Sequence, residues 1–211
     1  MADYNTYRSA QSVGTRTGAV DEGLRAYMNK VYGLMAVGMG VTAVAAYGIS
    51  SAAVDSAGQL TQLGTAIYAS PLKWVIVFAP LLMVFAFGAA LNRLSVQAAT
   101  MMFYGFAALM GLSISSIFLV YTPFSIVQTF LVTAIAFSGL SLWGYTTKKD
   151  ISGWGSFLIM GVIGLIVASI VNIFLQSSGM QFAISALGVL IFAGLTAYDT
   201  QNIKNTYLRL A

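Results

Sequence analysis

The sequence predicts an all-α, polytopic integral membrane protein, and three observations support this prediction. Of the 211 residues, 58% are hydrophobic and only 8% are charged, whereas soluble domains usually carry about 25% charged residues. Most of the chain lies in six apolar runs, each close to the roughly 20 residues that a helix needs to cross a bilayer core. The runs lack the alternating pattern of a membrane β-barrel. Helices, which satisfy their own backbone hydrogen bonds, are therefore the expected spanning elements.

Residues 1–20 precede the first apolar run and are polar, with many Ser, Thr and Gly residues. They lack the short apolar core that follows the charged start of a signal peptide, so we expect a disordered cytoplasmic tail. Residues 21–211 are expected to form a transmembrane helical bundle, in which Asp21 caps a short helix that leads into the first span.

The six predicted spans are joined by short connections, apart from residues 51–73. The spans are residues 31–50, 74–91, 98–121, 124–145, 154–175 and 182–203. Small residues let membrane helices approach closely, so we expect Gly161 and Gly164 to lie at a helix contact. Asn172, a polar residue inside a span, is expected to form an interhelical hydrogen bond.

The sequence also argues against several kinds of chemistry. It contains no Cys and no His, so any pH response near neutrality must come from a carboxylate. No phosphate-binding loop, metal-ligand cluster or activated nucleophile is recognisable, and we expect neither an enzyme nor a resident cofactor. The basic residues lie beside apolar spans, where they set topology. The net charge of +4 therefore does not indicate nucleic-acid binding, and the expected partner is the lipid bilayer.

Asp199 is the main candidate site residue. It lies near the end of an almost wholly apolar run, residues 184–203, and an ionisable residue in such a run is a functional-site hypothesis, because its burial in a membrane is costly. Two interpretations remain open: a protonatable gate or cation site, in which Asp199 is at most one metal ligand, and a carboxylate that pairs with a cation at the membrane edge. Helical spacing places on its face Ser185, Gly188, Phe192, Thr196 and Asn202. The candidate charge partners are Arg93, Lys148, Lys149 and Lys204.

Four stretches resemble the Bax inhibitor-1 family, also called the transmembrane Bax inhibitor motif family, and especially its bacterial branch. They are VDEGLRAYMNKVYGLMAVG at 20–38, MGLSISSIFLVYT at 110–122, GYTTKKDISGWGSFL at 144–158 and AGLTAYDTQNIK at 193–204. The last two are the most specific, because apolar composition alone would not produce them.

This resemblance implies a seven-helix bundle around a central helix and a pH-sensitive calcium leak, with calcium as the permeant ion. It also implies two aspartates on the last two helices that share a proton, an arrangement that senses pH. Asp199 matches the first of them. The family continues into a further helix that carries the second, whereas this sequence ends at Ala211. The expectation is therefore a fragment, or a chain that has lost this helix.

Two functions from different classes follow. The first is a calcium leak in the cell inner membrane, with Asp199 at the cytoplasmic gate. The second is a non-conducting regulator of a membrane-bound protease or a stress response, because the resemblance also implies this role for bacterial members. In that case residues 1–20 would be the recognition segment.

The distribution of basic residues predicts that the N-terminus is cytoplasmic. With this orientation nine of the ten Lys and Arg residues lie inside, and only Lys73 lies outside, as the positive-inside rule requires. Cysteine labelling tests it, because the chain has no native Cys. A single Cys at Ser56 should react with an impermeant reagent in intact cells, and one at Ser152 should not. The reverse pattern would overturn the orientation.

Overall fold

A computed structural model of the chain describes the backbone of residues 3–90 and 93–210, with side chains from Asp21 onward. These described ranges contain eight α-helices, one π-helical stretch (Thr65–Ala69) and no β-strand. The helices are α1 (Asp3–Ala53), α2 (Gln62–Gly64), α3 (Leu72–Ala90), α4 (Val96–Ile114), α5 (Ile117–Val120), α6 (Pro123–Thr146), α7 (Trp154–Leu175) and α8 (Ser178–Leu210).

Within the described residues, six helical segments are long and apolar enough to cross a membrane, which confirms the six predicted spans. They are Asp21–Ala53, Leu72–Ala90, Val96–Val120, Pro123–Thr146, Trp154–Leu175 and Ser178–Leu210. The first and last segments each have 33 residues, which corresponds to about 50 Å of helix. A hydrocarbon core is only about 30 Å thick, so these two helices extend into the polar zones.

Two predictions for the N-terminal region have different outcomes. Asp21 lies inside α1, so the prediction that it caps a separate short helix is wrong. The backbone of residues 3–20 is helical, as the first part of α1, and the expectation of a disordered cytoplasmic tail at residues 1–20 stays a prediction.

The chain divides into two compact units, which we describe separately. The central unit is Lys30–Thr129, and the terminal unit consists of Met1–Asn29 and Phe130–Ala211.

In the central unit, α1 packs against α4 through small residues. The hydroxyl of Thr42 on α1 lies 2.8 Å from the carbonyl oxygen of Ala107 on α4. A Cβ at Gly111 would overlap the carbonyl oxygen of Thr42 and would lie 2.7 Å from Cβ of Ala45. Backbone-to-backbone contact of this kind is the usual way in which membrane helices pack, since no hydrophobic force drives them together in lipid.

The third span is broken at Ser115–Ser116, so the prediction of one helix over residues 98–121 is wrong in this detail. Ser115 is 0% exposed, and its hydroxyl donates to the carbonyl oxygen of Leu112 at 2.7 Å. The Tyr68 hydroxyl oxygen lies 2.8 Å from the Ser115 hydroxyl oxygen. Because the Ser115 proton is already used, Tyr68 is the donor of this hydrogen bond. Serine side chains that bond to nearby backbone compete with helical hydrogen bonds, which accounts for the break between α4 and α5.

In the terminal unit, α7 and α8 are joined by a tight turn. The Asn172 amide nitrogen donates to Oε1 of Gln181 on α8 at 3.1 Å, which confirms the interhelical hydrogen bond. A Cβ at Gly161 would lie 2.9 Å from Cδ1 of Ile191, so Gly161 lies at a helix contact as predicted. Gly164 has nothing within 4 Å of an added Cβ, so the prediction for this glycine is wrong.

At Gly144 the backbone of α6 closely approaches that of α8. A Cβ built there would overlap the carbonyl oxygen of Ala197 and would lie 3.0 Å from its Cα. Ala197 itself is buried. Only glycine at position 144 therefore allows the two backbones to lie this close.

Gly144→Ala should lower the temperature of thermal unfolding in detergent, because overpacking costs about 1–3 kcal/mol. Gly139→Ala on the same helix is the matched control, since an added Cβ there meets nothing within 4 Å. In the control, alanine is favoured in a helix by up to ~1 kcal/mol. The two variants should therefore shift unfolding in opposite directions, and equal shifts would contradict the contact.

Candidate functional site

The C-terminal half of α8 packs against the connection between α6 and α7. Three residues of α8 are buried on this side: Ala197, Thr200 and Gln201. The amide of Gln201 donates through Nε2 to the carbonyl oxygen of Lys149 at 2.8 Å. Its Oε1 accepts from the backbone N–H of Ile151 at 3.0 Å. One neutral side chain thus satisfies two backbone groups of the connection, which otherwise would have no helical partner.

Lys204, one turn farther along α8, binds the end of α6. Its Nζ donates to the carbonyl oxygen of Tyr145 at 2.7 Å and lies 5.3 Å from the centroid of the Tyr145 ring. The last carbonyl groups of a helix lack intrahelical donors and carry a partial negative charge. Lys204 therefore caps α6 while its ammonium group also contacts an aromatic face.

Tyr198 completes the contact with α7. A Cβ at Gly155 would lie 2.6 Å from the Tyr198 hydroxyl oxygen, so the ring lies directly on the α7 backbone. Residues 144–158 and 193–204, the two most specific stretches of the sequence, are thus packed against each other. These stretches differ from the other apolar runs because this contact requires glycines, the side-chain amide of Gln201 and the ammonium group of Lys204.

Asp150 stabilises the turn between α6 and α7 itself. Its Oδ1 accepts from the backbone N–H of Ser152 at 2.9 Å. Hydrogen bonds from the side chain and then the backbone of Ser152 hold the pKa of Asp150 below its usual value. A carboxyl with a lowered pKa stabilises the fold above its unfolded-state pKa, and this contribution is lost as the pH falls through the lowered value.

Asp199 points away from this contact. It follows Ala197 by two residues, which is about 200° around the helix, and it is exposed. Among the described residues, no hydrogen bond or ion pair reaches its carboxylate. Asn202, one turn beyond, is exposed on the same side.

In the terminal unit, Asp199 forms no ion pair with its candidate charge partners among the described residues. Lys204 is five residues later and on another face of α8, where it binds Tyr145. Neither Lys148 nor Lys149 forms an ion pair with Asp199 in the described part of the chain, and Arg93 belongs to the central unit. Pairing of the carboxylate with any of these cations stays a prediction.

A groove lies between α7 and α8, and its lining includes two residues that the sequence predicts on the same helix face as Asp199. Gly188 and Phe192 border this groove, whose volume is about 440 Å³. Among the described residues that line it, Ser169 carries the one polar side chain, and its hydroxyl is already bonded to the Leu165 carbonyl oxygen at 2.7 Å. The groove is therefore apolar, and Asp199 lies about 10 Å beyond Phe192 along the helix axis.

Sequence reasoning missed Gln201 as the residue that holds α8 in place. The available signal was helical spacing, because Gln201 follows the small residue Ala197 by four positions and so shares its face. Hydropathy did not indicate that Gln201 is buried, since a glutamine has the same hydropathy value whether it is buried or exposed.

Gln201→Leu should destabilise the protein, because the Lys149 carbonyl and the Ile151 N–H would be left without partners. Each unsatisfied buried group costs about 1–3 kcal/mol. Gln201→Glu keeps the acceptor for Ile151 and should be less destabilising than Leu. Asn202→Leu makes the same chemical change at the adjacent exposed position and should unfold near the wild-type temperature. Equal unfolding temperatures for the two leucine variants would contradict this role of Gln201.

Comparisons with known proteins extend these observations. An uncharacterized protein of Caulobacter vibrioides is 49% identical over 193 residues, which is 91% of this chain and 77% of the relative. Inner membrane protein YbhL of Escherichia coli is 44% identical over 187 residues, covering 87% and 75% of the two chains. Uncharacterized protein RP147 of Rickettsia prowazekii is 40% identical over 201 residues, covering 95% and 82%.

No solved structure matches the chain. The family model described as inhibitor of apoptosis-promoting Bax1 matches residues 24–210, a range that includes both units except for the first residues of α1. The chain therefore belongs to the Bax inhibitor-1 family of membrane proteins.

Proposed function

We propose that the protein is a cation leak in the inner membrane, with calcium as the permeant ion and Asp199 at its cytoplasmic gate. One observation carries this proposal. Asp199 is exposed on a membrane-length helix and has no partner among the described residues. An ionisable group in this position is costly in lipid, and such groups usually line an ion pathway or a water-filled cavity.

The chemistry of a carboxylate favours a cation. Oxygen ligands are the ones that calcium prefers, and aspartate or glutamate side chains select cations in channels. One carboxylate supplies too few oxygens for a tight calcium site, which takes six to eight. A single weak site suits conduction, because an ion must leave as readily as it enters.

The surroundings of Asp199 support a fixed gate. Gln201 and Lys204 hold the same turns of α8 against the α6–α7 connection. The carboxylate therefore projects from a helix whose rotation and depth are set by its neighbours. Pre-organisation of this kind is needed for any side chain that must meet an ion repeatedly at one place.

The membrane and the orientation are part of the proposal. The Escherichia coli relative is described as an inner membrane protein, which supports the same location for this chain. The unequal distribution of Lys and Arg residues between the two sides of the membrane supports a cytoplasmic N-terminus. Asp199, toward the C-terminal end of the sixth membrane-length helix among the described residues, is then on the cytoplasmic side.

The pH response that the family resemblance implies is assigned to Asp199. Among the described residues, the charged groups on elements packed against this half of α8 are Asp21, Glu22, Arg25 and Lys30 on α1, and Lys148, Lys149 and Asp150 in the α6–α7 connection. None of these forms an ion pair with Asp199. Protonation of Asp199 would remove the negative charge that attracts the cation.

Asp199→Asn should reduce calcium flux into liposomes and abolish its dependence on pH, because asparagine keeps the shape without the charge. We expect about a tenfold reduction, the effect of about 1.4 kcal/mol in cation attraction. Asp199→Glu should keep most of the flux. A calcium-sensitive dye inside the liposomes measures the rates between pH 5 and 8.

Glu22→Gln is the matched control, since it removes one exposed carboxylate of the terminal unit without touching α8 or the α6–α7 connection. An equal loss of flux in this variant would show only a general surface-charge effect. Unchanged pH dependence in Asp199→Asn would remove the gate assignment. Flux no greater than that of protein-free liposomes at every pH would overturn the leak and favour the non-conducting regulator of a membrane protease.

A further inference from the structure

The central unit contains a second polar site, far along the sequence from Asp199. A cavity of about 310 Å³ lies between the start of α3, the π-helical stretch and the break between α4 and α5. Its apolar wall includes Ile67, Val77 and Leu112, and its polar groups include Lys73, Ser113 and Ser116. A cation and two hydroxyls thus face one space beside apolar side chains.

The three polar groups have no protein partner of the usual kind. Among the described residues, the hydroxyls of Ser113 and Ser116 make no hydrogen bond. This contrasts with Thr100, Ser138 and Ser169, which bond to carbonyl oxygens of their own helices. The Lys73 ammonium group forms no ion pair in the described part and lies 5.5 Å from the Trp74 ring centroid.

The backbone N–H groups beside the cavity are already hydrogen-bonded, so only the side chains can bind a ligand there. The first N–H groups of α3 are already bonded, that of Leu72 to the Ser70 hydroxyl at 3.1 Å and those of Lys73 and Trp74 to carbonyl oxygens at 3.1 Å and 3.2 Å. The Tyr68 hydroxyl is bonded to Ser115. A bound anion would therefore contact the Lys73 ammonium and the two serine hydroxyls.

We propose that this cavity binds the phosphate head group of an anionic phospholipid, with the acyl chain against the adjacent apolar face of α3. The cation and the two hydroxyl donors match a phosphate. A basic side chain beside membrane helices attracts anionic lipid head groups, and with the expected orientation Lys73 would do so in the outer leaflet. The face that continues from the cavity is apolar and exposed, including Trp74 (57%), Val77 (49%) and Phe78 (51%). A phospholipid satisfies both parts of this surface, whereas a free phosphate would satisfy only the polar part.

Trp74 provides the probe, because it lines the cavity. In a Trp143→Phe, Trp154→Phe background it is the sole tryptophan, since the chain has three. The purified variant is titrated with brominated phosphatidylglycerol, and separately with brominated phosphatidylcholine of the same acyl chains. Bromine quenches tryptophan fluorescence at short range, and quenching is normalised to the unbrominated lipid for each variant.

Phosphatidylglycerol should half-quench Trp74 at about a fivefold lower mole fraction than phosphatidylcholine, as expected for one lysine near an anionic lipid. Lys73→Gln should abolish this preference, and Ser113→Ala combined with Ser116→Ala should reduce it. Lys30→Gln, which removes another exposed lysine of the central unit, should leave it unchanged.

Three results would overturn the proposal. The first is equal quenching by the two lipids, and the second is a phosphatidylglycerol preference that survives Lys73→Gln. The third is a phosphatidylglycerol preference that Lys30→Gln abolishes as fully as Lys73→Gln does, which would show a general surface-charge effect instead of this cavity. Thermal unfolding establishes whether each variant is folded. If Lys73→Gln does not fold, the serine variants test the same cavity.

Discussion

The position of α8 depends on one close contact between backbones, that of Gly144 on α6 with Ala197 on α8. It brings the α6–α7 connection within reach of Gln201, whose amide then satisfies Lys149 and Ile151. It also places Lys204 at the end of α6. Since Ala197, Gln201 and Lys204 share one face of α8, the opposite face carries Asp199. The direction of the only acidic side chain in this helix therefore follows from a glycine on another one.

In both units, small and polar residues hold the helices together. Lipid is as apolar as the helices, so burial of apolar area does little to hold spans together. In the central unit the contacts are those of Thr42 and Gly111 and the hydrogen bond of Tyr68 with Ser115. Large hydrophobic side chains such as Phe85, Ile135 and Phe157 remain exposed, as suits a surface that faces acyl chains.

The sequence was sufficient to predict the number, type and approximate bounds of the spans, because the thickness of a bilayer imposes a length on every apolar helix. It also indicated Asp199 as a candidate site residue, whose role as a gate stays a prediction. It did not predict the break at Ser115–Ser116, the contact-free Gly164 or the role of Gln201. These features depend on how each helix is rotated about its axis, and a span that is apolar on every side carries no periodic signal for that rotation. The partner of Lys204 was missed for the same reason.

The anchoring of α8 by Gln201 and Lys204 has a consequence for the membrane potential. A slide of one residue would move α8 by about 1.5 Å and rotate it by about 100°, and would break the hydrogen bonds to Lys149, Ile151 and Tyr145. Asp199 therefore stays at one depth unless the α6–α7 connection moves with it. A charge contributes about 2.3 kcal/mol per 100 mV only if it crosses the whole field. Held at constant depth, this carboxylate does no electrical work, so voltage sensing by Asp199 would require the α6–α7 connection to move together with α8.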